Sequence, residues 1–159
     1  MSALITPELV ALDQNLGAEP STVIRHLAEL TGISDPESLE ADPHLAARAS
    51  QTLITAGVGA VLATLGSQGA LLVTAAGYWL ATRPPIAAVS TVGAGDSSLA
   101  GFLLRDLAGA SAPDCLRQAV AHGAAAASLP GSTVPAVSQT DPSAVTVTAY
   151  ATHPKEDDQ

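Results

Sequence analysis

The segment Ser90 to Phe102, STVGAGDSSLAGF, puts two glycines and an aspartate where a loop runs into an amphipathic pattern. Gly93, Ala94 and Gly95 leave backbone N–H groups unobstructed at the start of a helix, and a helix start receives negative charge well. The charge that develops on a transferred phosphoryl group is one such load. Asp96 follows in the same turn, beside the seat of that anion, where it is available as a general base toward a substrate hydroxyl. A base and an anion hole in one turn suit phosphoryl transfer to an alcohol. The same residues also read as an ordinary turn with an aspartate near a helix cap, a common arrangement.

The remaining glycine loops exclude other phosphate chemistries. A Walker A loop needs a lysine aimed at the phosphates, and the only lysine of the chain is Lys155, in the tail. The dinucleotide pattern of three glycines is half present at Gly57-Val58-Gly59 and at Gly93-Ala94-Gly95, but its third glycine is Leu62 in one case and Ser98 in the other. Neither meets the fingerprint.

The elements that must hold this turn are legible from periodicity. VIRHLAELTG, with Val23, Leu27 and Leu30 at helical spacing, predicts a helix stopped by Gly32. Ile33 to Pro43 is polar and proline-punctuated, a surface connection. Leu45, Ala46, Ala49, Leu53 and Ile54 form a second apolar stripe, ending at Gly57. GAVLATLG, ALLVTA and YWLAT predict three strands in a meander, with GSQG as the first turn and the prolines at 84 and 85 as the stop. After the Gly93–Asp96 turn, Leu99, Phe102, Leu103 and Leu107 define an expected buried helix face, with Arg105 and Asp106 opposite. A further helix starts near Pro113, after Ser111, runs through Leu116, Val120, Ala124 and Ala127, and stops by Pro130. Ala144 to Thr148 is expected as an edge strand before a frayed tail.

Composition fits one domain. Of 159 residues 47% are hydrophobic and only 3% aromatic, so the core must rely on close approach of small side chains, as helices on a sheet allow. A net charge of −9 repels nucleic acid and anionic membranes, so neither is an expected partner. The single cysteine, Cys115, offers neither a disulfide nor a metal-ligand spacing and is expected to be a buried, inert thiol; no metal ligands are assigned. MSALITPELV lacks the features of a leader and no stretch has the apolar length of a membrane span, which points to a cytoplasmic protein.

STVGAGDSSLAGF closely resembles the signature of the ribokinase-type (PfkB) carbohydrate kinases. TLGSQGALLV, Thr64 to Val73, resembles that family's nucleotide-side strand and turn, and AVAHGAAAASLPGSTVP, Ala119 to Pro135, its late helix and loop. The resemblance implies an α/β fold, the C-terminal half of a ribokinase-like, Rossmann-type open sheet with flanking helices, the β-lid half being absent. It implies ATP and Mg2+ as cofactors and a phosphorylated sugar as substrate. Ser90 ahead of TVGAGD and the LPGSTVP loop are most similar to the members that convert fructose 1-phosphate to fructose 1,6-bisphosphate. Another phosphorylated ketohexose, such as tagatose 6-phosphate, is the alternative. Carried over by position, Asp96 is the base, Gly93, Ala94 and Gly95 the anion hole, and Thr64, Gly66 and Gly69 part of the nucleotide wall. Ala119, His122 and Gly123 would lie near adenine, although His122 also suits a solvent-facing helix position.

Two departures accompany the resemblance. The N-terminal half that carries much of the sugar pocket is missing, so the chain reads as a diverged segment 1–32, a nucleotide-binding and catalytic-base part 33–150 and a polar tail 151–159. The Asn-x-x-Glu positions that organise magnesium in the family hold Val23 and His26. An inactive, nucleotide-binding remnant is therefore an alternative to an enzyme. A homodimer, or pairing with a chain that carries the missing half, is expected at the exposed sheet edge. Among the few arginines, Arg105 reads as a solvated charge and Arg83 as a phosphate-binding candidate.

Overall fold

The computed structural model of the chain describes residues 2–5, 41–55 and 57–151. The helix expected over 23–32, with Val23 and His26, most of the connection after it and the tail beyond 151 lie outside the described residues.

Strands with apolar residues at both parities must be covered on both faces. Strands β2 (Ala60–Thr64), β3 (Ala70–Thr74) and β4 (Gly77–Thr82) meet this condition and form the expected antiparallel meander. Strand β5 (Thr146–Ala149) adds antiparallel to β4 as an edge, shifted slightly toward the C-terminus from the expected Ala144–Thr148. On the other side, β1 (Ser2–Ile5) pairs parallel to β2, completing a five-stranded sheet in the order β1-β2-β3-β4-β5. SALI is too short to show a period of its own, so the sequence did not announce this strand.

Helix α1 (Pro43–Thr55) covers one face, with Ala46 and Ala47 packed against Ala63, Leu65, Leu71 and Val73. Helices α2 (Ala94–Asp106) and α3 (Ala112–Ala127) cover the other, where Phe102, Leu116 and Ala119 meet Leu62, Ala70, Leu72 and Ala81. The register places Leu62 opposite Leu72 and Leu72 opposite Trp79 on that face. Leu71, Leu72 and Leu116 are fully enclosed, each burial favouring the fold by about 1.5–3 kcal/mol.

The GSQG turn is a single 3-10 turn, Gly66–Gln68, closed by a hydrogen bond from the Leu65 N–H to the Gly69 carbonyl at 2.9 Å. Gly69 has a φ of +106°, and a Cβ there would stand 1.9 Å from the Ala81 carbonyl oxygen. Only glycine fits where β3 begins against the end of β4.

Helix α3 begins as expected at a serine cap. The Ser111 hydroxyl accepts from the Asp114 N–H and donates to the Asp114 carboxylate, which also pairs with Arg117. The Ser111 hydrogen bond, aided by the charge of Arg117, holds the Asp114 carboxyl below its ordinary value against a smaller opposing effect of burial. Cys115 is buried with its thiol directed at the Ala110 carbonyl; burial, and then the charges of Asp106 and Asp114, push its pKa up. That is the inert thiol expected.

The predicted face of α2 needs correction. Its buried residues are Ser97, Ser98, Gly101 and Phe102, whereas Leu103 is 38% and Leu107 86% exposed. Leu99 and Phe102 pack on the core as expected, but α3 approaches α2 so closely that small residues are selected at the rest of the contact, and Leu103 and Leu107 turn outward. Arg105 is exposed, as expected. Among the described residues no helix is long and apolar enough to cross a membrane.

Candidate functional site

Gly93 caps α2 in the left-handed conformation, with φ +77° and no side-chain cap. The turn is closed by the Ala94 N–H donating to the Thr91 carbonyl (3.2 Å) and the Ser97 N–H donating to the Gly93 carbonyl (2.9 Å). A helix start leaves its first amides without intrahelical acceptors, and among the described residues those of Gly93, Gly95 and Asp96 are not taken up by the backbone. The Ala94 amide, expected as part of the anion hole, is already engaged. Asp96 stands in the first turn with its side chain exposed. It is the sole carboxylate of the segment Ser90 to Phe102. The arrangement offers an anion the free amides of the turn and presents a carboxylate next to them.

The turn is tied to α3 and to the loop behind it. The Val89 and Ser90 N–H groups both donate to the Ala127 carbonyl, at 2.8 and 3.2 Å. Ser132, in the PGSTVP loop, has its Cβ 3.7 Å from where a Cβ on Gly93 would be. The structure thus brings the Gly93–Asp96 turn together with the end of α3 and the following loop, two segments that the sequence reading had placed in one site.

The three α3 positions expected near adenine are buried. Ala119 is fully enclosed in the core between helices and sheet, so its side chain offers no surface to a base. His122 is 4% exposed, which corrects the solvent-facing alternative. Its Nδ1 lies 2.9 Å from Gln118 Nε2 and 3.1 Å from the Gln118 carbonyl oxygen. Gln118 Nε2 also donates to the Thr140 hydroxyl, which donates to the Val137 carbonyl. This buried polar chain fastens α3 to the segment after its loop. Gly123 abuts α2: a Cβ there would stand 2.2 Å from Ser98 Oγ and 3.2 Å from the Ala94 carbonyl oxygen.

On the other wall, Thr64 ends β2 half-buried, Gly66 is exposed and Gly69 half-buried. Among the described residues no backbone–backbone hydrogen bond joins this turn to the Gly93–Asp96 turn. Arg83 follows β4; its Nε is buried without a hydrogen-bond partner. Its charge contributes, after the dominant hydrogen bond from Ser143, to holding the Asp141 carboxyl below its ordinary value.

Ser98 and Gly101 were not singled out from the sequence. Their signal was there, since small residues recur at helical spacing in both SSLAG and AVAHG, but spacing alone does not say which helices meet. Among the described residues no group of three or more His, Cys, Asp or Glu side chains could hold a metal ion. Magnesium brought by a nucleotide needs no such cage, because it is commonly held by one or two carboxylates together with phosphates and water.

The model of the pfkB family carbohydrate kinases matches residues 11–139. The chain is 42% identical to the 1-phosphofructokinase of Escherichia coli K12 over 80 residues, 50% of this chain and 26% of that protein. It is 38% identical to the fructoselysine 6-kinase of the same organism over 77 residues, 48% of this chain and 28% of the relative. The crystal structure of Escherichia coli phosphofructokinase-2 in complex with substrates and products superposes with a TM-score of 0.63 at 27% identity, covering 86% of this chain and 38% of that one. The chain thus spans well under half the length of each relative it matches.

Proposed function

The chain belongs to the pfkB family of carbohydrate kinases, and from that premise we propose that it takes part in ATP-dependent phosphorylation of a sugar phosphate, with fructose 1-phosphate as acceptor and fructose 1,6-bisphosphate as product. The observation that carries the reading is the start of α2, where the Gly95 and Asp96 amides stand without backbone acceptors next to an exposed carboxylate. The acceptor hydroxyl of the sugar attacks the γ-phosphorus of ATP. As that oxygen–phosphorus bond forms, the bond to the bridging oxygen of the departing ADP breaks. The hydroxyl proton passes to Asp96. Charge on the transferring group is met by the free amides, which are fixed before the reaction and need no reorganisation. Magnesium, travelling with the nucleotide, would supply further charge compensation at the phosphates. Thr64, Gly66 and Gly69 form the nucleotide wall in this reading, and Gly93 shapes the turn.

Fructose 1-phosphate is favoured by Ser90 and the LPGSTVP loop together with the identity to 1-phosphofructokinase. A panel of fructose 1-phosphate, tagatose 6-phosphate and fructoselysine, each with MgATP and the full chain, tests the choice through ADP release. Release with fructose 1-phosphate well above the others is expected; preference for either of the others reassigns the substrate. A second reading, a nucleotide-binding module without turnover, is favoured by Val23 and His26 standing where the family has Asn and Glu. Saturable MgATP binding by calorimetry with no ADP release for any sugar would support it. Completion of the sugar pocket by a second chain, either another copy or a chain carrying the N-terminal half, belongs to the same proposal.

A further inference from the structure

We infer that Gly123 and Ser98 are positioning residues that set where the Gly95 and Asp96 amides and the Asp96 carboxylate stand. Ser98 is 6% exposed and its hydroxyl donates to the Ala94 carbonyl at 3.0 Å, bracing the first turn of α2 from within. Gly123 of α3 lies directly beneath it, with room for a hydrogen and no more, since a Cβ would fall 2.2 Å from that hydroxyl oxygen. Three residues further along α2 the relation is reversed. Gly101 lies over α3, where a Cβ would stand 2.7 Å from both the Gln118 carbonyl oxygen and His122 Nδ1. His122 is itself held by Gln118. Each helix therefore contributes a glycine to receive a polar group of the other.

The segment entering the turn is anchored to the same helix, through the Val89 and Ser90 N–H groups on the Ala127 carbonyl. Helix α3 is thus a template for the turn from both sides. A methyl group at 123 collides with the Ser98 hydroxyl, which gives way only by leaving its bond to the Ala94 carbonyl, and it stands 3.2 Å from that carbonyl oxygen itself. Whether the brace breaks or the carbonyl is pushed aside, the first turn of α2 shifts, and Asp96 with it. Phe102, in the core on the sheet side, keeps the rest of the helix docked. The expected result is a folded protein with a misplaced turn.

The bearing on turnover rests on the kinase reading, whereas the placement of the turn does not, and the experiment separates them. Gly123→Ala, Ser98→Ala and the double variant are made in the full chain, and the amide resonances of Gly95 and Asp96 are compared with that of Phe102 at a temperature where thermal unfolding shows each protein folded. Gly123→Ala is expected to shift the Gly95 and Asp96 resonances, leave Phe102 largely in place, and lower kcat with MgATP and fructose 1-phosphate by about 10²-fold while KM for the sugar changes little. Adding Ser98→Ala removes the clashing oxygen together with the brace and is expected to return both readouts to those of Ser98→Ala alone, which depart less from the wild-type chain than those of Gly123→Ala. Unmoved turn resonances in a folded Gly123→Ala protein, or no recovery in the double variant, would overturn the inference. Should Gly123→Ala not fold, Ser98→Ala alone, which deletes the brace without adding bulk, is read in the same way: shifted turn amides uphold the inference and unshifted ones refute it. A wild-type chain without turnover would count against the kinase reading, with the resonances still deciding the seam.

Discussion

At the scale of single residues, the glycines divide by what each leaves open. Gly93 makes a left-handed cap that exposes amides, whereas Gly69 makes room for a neighbouring backbone. Gly93 was read as part of an anion hole and Gly69 as part of a nucleotide wall, and the sequence could not say that the space at Gly69 is also required by the protein's own backbone. Substitution separates them. Gly69→Ala combines a backbone conformation that side chains rarely adopt, costing about 1–3 kcal/mol, with a collision against the Ala81 carbonyl that adds about 1–3 kcal/mol. A loss of roughly 2–6 kcal/mol in urea unfolding is expected from the two together. A loss below about 1 kcal/mol, the range of an ordinary surface change, would show that the turn relaxes freely. His122 teaches the same lesson in reverse. A histidine in an alanine-rich helix suggested solvent or a base, but its ring is enclosed by Gln118 and by the backbone of α2 at Gly101.

At the scale of elements, the boundaries of α1, α2, α3 and of strands β2 to β4 were legible because each has a clear period and a clear stop. The face of α2 was not. Of four leucine and phenylalanine positions at helical spacing, Leu99 and Phe102 meet the core, while Leu103 and Leu107 yield their place to a row of serine and glycine. Hydrophobic periodicity assumes that burial is reached through bulk, and two helices in near contact reach it through the absence of bulk. Phe102→Ala should therefore cost about 3–5 kcal/mol, while Leu107→Lys should stay within about 0.5 kcal/mol, as read from paired denaturation curves. Comparable losses at the two positions would restore the leucine face. Helix α3 carries a pH signature of its own. The Asp114 carboxyl, held below its ordinary value of 3.8 by Ser111 and Arg117, binds a proton more readily in the unfolded chain than in the folded one. Its contribution is thus present above that value and lost as pH falls through the lower folded-state value. The difference in stability between the wild-type chain and Asp114→Asn should be constant from neutral pH down to about 5 and shrink in more acidic solution. A difference that widened with acid would contradict the assignment.

At the scale of the whole molecule, the described residues form a five-stranded sheet covered on both faces, with the candidate site at the junction of α2, α3 and the loop that follows α3. The α/β class and the meander followed from alternating apolar runs between glycine and proline stops. Strand β1 escaped notice because its partner lies more than fifty residues away, and parallel pairing at that distance leaves no local mark. The family was legible for a different reason, the resemblance of STVGAGDSSLAGF and two further segments to a known signature, since the Gly93–Asp96 turn by itself also suits an ordinary helix cap. Its meaning depends on whether the chain transfers a phosphoryl group. The decisive measurement is formation of fructose 1,6-bisphosphate from MgATP and fructose 1-phosphate by the full chain, run beside an Asp96→Asn variant shown to be folded. Sugar-dependent product formation that falls about 10²–10⁴-fold on substitution is the predicted result. A folded wild-type chain that forms no product, or an Asp96→Asn chain that forms it equally fast, would contradict the role assigned to this turn.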